Sequence, residues 1–258
     1  MSSESIFTTI LRRVLWTTLV PLGCIILIIS FSVCAYFNDS ETSRVEEETR
    51  QYVLEAKEQI DEALSVVESI QSYPYIVNNL ANYFENAYDV FDFVSYSNTY
   101  MDNIMGTLDG VAITIYYTNE TLYESKYFVH REDFDRYEQI LEKINRQQKT
   151  FIWEEGIREG EDGSKQIVFY KKFPLSSCDI LECIINLPKI NSEIEIFDAT
   201  GTDNEDEKHI IRNINENIKV RGIIDYNALR LRYTITLFTA FGCMAGLFVL
   251  IYFVACVF

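Results

Sequence analysis

Histidine, proline and paired cysteines are scarce in this chain of 258 residues. His130 and His209 are its only histidines, and no C-x-x-C pair occurs. A structural zinc site is built from such clusters, so no metal is expected. There is no Gly-rich phosphate loop, because Gly156, Gly160 and Gly163 fall in an acidic turn rather than before a helix. G-x-S-x-G and H-E-x-x-H are also missing, and neither histidine has a nucleophile beside it. The tract Asp203-Asn-Glu-Asp-Glu207 lacks the spacing and closing glutamate of a calcium loop. Acidic pairs such as Glu154/Glu155 read as solvated surface in a chain this rich in carboxylates. The expectation is no catalytic residue, no cofactor and no enzyme.

Charge-free apolar sequence is what the chain has instead. Residues 14–37 and 233–258 hold no charged side chain. At about 1.5 Å per residue each can cross a hydrocarbon core of about 30 Å as a helix. The first run exceeds a signal-peptide core and no A-x-A site follows it, which favours an uncleaved anchor. Cys24, Cys34, Cys243 and Cys256 lie in these runs and serve as small apolar fillers. The expected organisation is a tail over 1–13, a span over 14–37, a polar domain over 38–232 and a span over 233–258.

The polar domain holds 20 basic against 38 acidic residues, hence a charge of −18. Such a surface argues against nucleic acid and against anionic lipid as partners. The bilayer itself is the expected partner of the two spans. Arg12 and Arg13 before the first span are balanced by Arg221, Arg230 and Arg232 before the second, so charge leaves the orientation near a tie.

Val45, Tyr52, Ala56, Ile60, Ala63, Val67 and Ile70 mark one face of a long helix that Tyr73-Pro74-Tyr75 ends. Two readings of that seam stay open: packing on its own domain, or also meeting its copy in a homodimer. Short helices are expected over 76–103. Strands follow at 111–118, around Phe128 and at 150–153, with a helix over 133–146 between the last two. Residues 166–173 and 180–188 read as a hairpin, and 194–197 as a further strand. Residues 209–218 read as helical, while 220–224 and 229–234 fit strand or helix equally. Cys178 and Cys183 flank one limb of the hairpin, either as a disulfide or as free thiols. Tyr117, Tyr127, Trp153 and Tyr170 lie on or near the strands. Aromatic residues on one sheet face can line a small-molecule pocket or form core.

The order span, long helix, strand, helix, further strands, span resembles the sensory half of a membrane receptor with an extracytoplasmic Cache domain, a relative of the PAS fold. More narrowly it is similar to the N-terminal half of YesM-like sensor histidine kinases. VAITIYYTN (111–119), Ile152-Trp153, the hairpin 166–186 and IFDATG (196–201) carry the resemblance. It implies an α+β domain with a long N-terminal helix packed on an antiparallel sheet, placed outside the membrane. It also implies a small-molecule ligand near Tyr117, Tyr127, Trp153 and Tyr170. A second Cache module after 196–201 would be truncated. Neither a phosphoacceptor histidine nor an ATP-binding motif follows the second span, so kinase activity does not carry over to these residues. The expected function is a ligand-sensing, membrane-anchored receptor domain; the alternative is a non-enzymatic accessory protein pairing with another membrane protein.

Overall fold

A computed structural model describes Thr9, Arg13 and residues 15–174, 178–189, 194–198 and 210–257. The acidic tract at 203–207 and the end of IFDATG lie outside the described residues. The chain divides into two compact units, Met1–Glu47 with Ile223–Phe258, and Glu48–Gly222.

The first unit holds the spans. A π-helical turn, Leu15–Leu19, leads into helix α1, Val20–Ser72. Pro21 follows closely on the π-helical turn, where the altered hydrogen-bond register accommodates its missing N–H. No glycine or proline follows Gly23 in α1, so the helix runs through Asn38-Asp39-Ser40 without a break. The last helix of the chain, Tyr226–Val257, starts seven residues before the expected span. The Asp225 carboxylate starts it by accepting from the backbone N–H groups of Asn227 and Ala228 at 2.9 and 3.0 Å. This resolves 229–234 as helix. Both helices are long and apolar enough to cross a membrane. They approach closely at Gly23, where an added Cβ would lie 3.3 Å from Met244 Sδ. Beyond the apolar stretches, Arg232 pairs with Glu41 at 3.8 Å.

In the second unit α1 ends because Tyr73 precedes a proline and is pushed to extended backbone, φ −81° and ψ 105°. Pro74 then opens α2, Pro74–Leu80. Asn86 caps α3, Ala87–Met105, by accepting from the Asp89 N–H at 2.9 Å. Where short helices were expected over 76–103, α3 alone is 19 residues long.

The main sheet contains β1 (Val111–Tyr117), β2 (Phe128–His130), β3 (Phe151–Trp153), β4 (Arg158–Glu159), β5 (Lys165–Lys172) and β6 (Ile180–Asn186). Its order is β2-β1-β6-β5-β3, with β4 paired to β5. All pairings are antiparallel except β1 with β2, which is parallel. The expected hairpin is β5–β6. Helix α4, Tyr137–Gln147, lies between β2 and β3 in sequence.

Period-two alternation splits the sheet into two buried faces. Ile113, Ile115, Ile167, Phe169, Leu181 and Cys183 pack with the α1 seam and with α3. Tyr116, Val168, Tyr170 and Ile180 pack with Tyr137, Ile140 and Ile144 of α4. The seam residues Tyr52, Ala56, Ile60, Ala63, Val67 and Ile70 are all buried against their own sheet.

A second sheet, order β7-β9-β8, joins β7 (Ile194–Asp198), β8 (Ile210–Asn213) and β9 (Ile218–Gly222). The expected helix over 209–218 is therefore corrected to a hairpin. Asn215 closes its turn by accepting from the Asn217 N–H at 2.9 Å. Asparagines favour such local hydrogen bonds over helix, and the β-branched Ile210, Ile211 and Ile218 favour the flanking strands.

Ile70→Ala opens a void at a fully buried position and is expected to cost about 2–5 kcal/mol. Leu54→Ala, at a position 52% exposed on the same helix, should stay within about 0.5 kcal/mol. Urea denaturation of the detergent-solubilised chain, followed by Trp153 fluorescence, measures both.

Candidate functional site

Strands β1, β5 and β6 send Tyr116, Tyr170 and Glu182 to the α4 face. Glu182 is only 5% exposed, on a strand paired on both sides. A carboxylate there must be met by donors. Tyr116 Oη donates to Glu182 Oε2 at 2.8 Å. Tyr170 Oη lies 3.0 Å from Glu182 Oε1 and 3.2 Å from Glu154 Oε2, and its single proton serves one of them at a time.

Cations come from the next elements outward. Arg158, on β4, donates from Nη2 to Tyr170 Oη at 2.7 Å and meets Glu154 Oε2 at 2.5 Å. Its Nη1 is 3.4 Å from Glu182 Oε1. Arg136, at the cap of α4, pairs with Glu154 Oε1. Phe134 covers the cluster, stacked on Tyr116 with centroids 4.3 Å apart and tilted 29° to Tyr170 at 6.0 Å. Two guanidinium groups thus balance two carboxylates beneath an aromatic cover. Burial, then the Glu182 charge, pushes both tyrosine hydroxyls well above their ordinary range. They remain protonated donors.

Next to this network lies a cleft of about 780 Å³ at the β3 edge. Lys143, Gln147, Trp153, Glu155, Asn215 and Glu216 are among its walls. Successive side chains after β3 divide between the two features: Glu154 joins the network, Glu155 lines the cleft. Lys143 pairs with Glu155 at 2.5 Å and Lys149 with Glu216 at 3.9 Å. Asn215 Nδ2 is buried without a hydrogen-bond partner. The walls therefore offer both signs of charge, amide groups and one large aromatic ring. Among the described residues no group of His, Cys, Asp and Glu is placed to hold a metal ion.

The four aromatics singled out from the sequence do not converge. Tyr117 and Tyr127 are buried on the α1 face, where Tyr117 Oη donates to the Leu122 carbonyl at 3.3 Å and Tyr127 Oη to Asp102 Oδ1 at 2.7 Å. Tyr170 is buried on the opposite face, inside the charge network. Trp153 packs edge-on against Phe169 at 5.2 Å and is the one of the four that lines the cleft. Cys183 carries a free thiol buried in the α1-side core, so no bridge joins it to Cys178. Glu182, Arg158, Glu154 and Arg136 are the functional candidates that reading for aromatics passed over. Glu182 carried a signal, a lone acid inside the apolar string ILECIIN.

No protein family, curated protein or solved structure matches this chain.

Two outcomes test the network and the core beneath it. Arg158→Met leaves Glu154 and Glu182 facing each other and should cost about 3 kcal/mol in urea denaturation. Adding Glu182→Met should recover a large part of that loss, because an apolar pair replaces a half-satisfied one. Alkaline stability carries its own signature. Tyr117 is raised from 10.0 to about 12, first by burial and then by the nearby Glu124 charge. Above pH 10 the unfolded tyrosine gives up its proton first, so the unfolded state binds fewer protons and stability falls as pH rises towards 12. Tyr117→Phe should make that fall shallower and leave the pH dependence below pH 10 as it is in the parent chain.

Proposed function

We propose that the chain is the ligand-sensing, extracytoplasmic part of a two-pass membrane receptor of the Cache type, and that its ligand is a small polar molecule bound in the cleft beside Trp153. The observation that carries this reading is the cleft itself. It has about 780 Å³ of space, walls of both charge signs and one aromatic ring. Small-molecule pockets commonly have that volume, and walls made mostly of polar residues suit a polar ligand. A long helix packed on a largely antiparallel sheet supports the Cache-type reading.

The ligand replaces Lys143–Glu155 and Lys149–Glu216 with its own partners and lays its apolar part on Trp153. Contact at Glu155 reaches the adjacent Glu154, which Arg136 and Arg158 hold. The ligand acts as a signal only to the extent that it binds two arrangements of these groups with different affinity. The network supplies a candidate pair of arrangements, since the Tyr170 proton can serve Glu154 or Glu182.

Thermal melts of the purified chain against a metabolite library test the reading. A ligand present at 100 times its Kd should stabilise by about 2.7 kcal/mol and raise the midpoint. Trp153→Phe combined with Lys143→Ala and Lys149→Ala should abolish that rise with little change in the unliganded midpoint. A library of amino acids, organic acids, amines and sugars that gives no hit, or hits indifferent to the triple variant, contradicts it.

A further inference from the structure

Helix α3 also carries large aromatic residues off its core face that stay exposed among the described residues. Val90, Phe93, Val94 and Met101 face the core. Tyr88 and Phe91, three residues apart, are neighbours on the outside, with Tyr96 further round; they are 76%, 60% and 50% exposed. Tyr83, in the loop before α3, is 79% exposed. A surface helix ordinarily turns charged and small polar residues outward; exposed aromatic patches rimmed by polar groups mark interaction sites.

The patch stands on a built base. Tyr73 and Tyr100 stack with centroids 4.2 Å apart, and Tyr75 meets Tyr96 edge-on at 4.8 Å. The Tyr73 and Tyr96 hydroxyls are 2.9 Å apart. Of the exposed rings these contacts hold Tyr96 before any partner arrives, so it has little side-chain entropy left to lose on binding.

Charge selects the partner. Glu85, Asp89 and Asp92 are exposed on and beside the aromatic face. No lysine or arginine occurs between Lys57 and Lys126. We infer that the outer face of α3 docks a cationic, arginine-bearing polypeptide segment of another protein. Guanidinium groups lie flat on tyrosine and phenylalanine rings and pair with the flanking carboxylates. A second copy of this chain would bring like-charged rims together, and an anionic lipid surface would meet the same repulsion. The inference is independent of the small-molecule reading, since α3 lines no part of the Trp153 cleft.

The test uses the full chain in phosphatidylcholine nanodiscs and a fluorescein-labelled nona-arginine peptide, read by anisotropy. Tyr88→Ala with Phe91→Ala leaves the charge unchanged and should weaken binding about tenfold without moving the melting midpoint. Glu85→Gln with Asp92→Asn should weaken it to a similar extent. Asp61→Asn with Glu62→Gln removes the same charge from α1 and should change affinity less than twofold. Absence of peptide binding overturns the proposal. So does unchanged affinity in the aromatic variant, or equal loss in both charge variants. Sedimentation of the same samples decides the remaining case: a dimer that Tyr88→Ala with Phe91→Ala dissociates would make a second copy the occupant and overturn the cationic partner.

Discussion

A backbone in hydrocarbon must satisfy every N–H and C=O within itself, and the two charge-free runs of this chain meet that demand as helices. The rest follows from how the first of them ends, or rather fails to end. Nothing at Asn38-Asp39-Ser40 stops α1, because no proline or glycine stands there and each of the three tolerates a helix interior. The helix continues until Pro74 forbids it. Its distal part then supplies the apolar seam on which the sheet closes. One physical element, an uninterrupted helix of 53 residues, thus holds both a stretch apolar enough to cross a membrane and a core-forming wall.

The two sheet faces are used differently. The α1 face is a conventional core whose few hydroxyls find local acceptors. The α4 face carries a buried carboxylate that a purely structural sheet has no need of. An apolar residue at Glu182 would pack as well, and buried ion pairs seldom add net stability over such a replacement. Glu182 and Glu154 are instead met by Arg158 and Arg136, beside an open cleft. In the proposed receptor, the neighbouring residues Glu154 and Glu155 join the two features.

Much of this fold was readable from residues alone, and the reasons are local. The spans announce themselves by lacking charge. VAITIYY alternates and is β-branched, so β1 was plain, as were the hairpin limbs around ILECIIN and the stop at Tyr73-Pro74-Tyr75. The hairpin at 210–222 is hidden because its signal is the turn chemistry of Asn213, Asn215 and Asn217 rather than a long apolar alternation. The start of the last helix was missed because Asp225 caps a segment that still carries Arg230 and Arg232, charges that hide a helix from a search for apolar runs. The site was harder. Aromatic residues on strands are mostly core, and three of the four chosen, Tyr117, Tyr127 and Tyr170, are buried with their hydroxyls satisfied. Convergence of Glu154, Arg158 and Glu182 depends on a β3–β4–β5–β6 register that spacing along the chain does not reveal.

The receptor reading requires that the sheet domain face away from the cytoplasm. Single cysteines placed at Leu54 and at Ser72, both exposed, in a chain with its native cysteines replaced by alanine or serine, report that directly. A membrane-impermeant maleimide added to intact cells (spheroplasts, if an outer envelope blocks access) is predicted to label both positions as fully as it does after lysis. Labelling that appears only once the cells are broken would contradict the account.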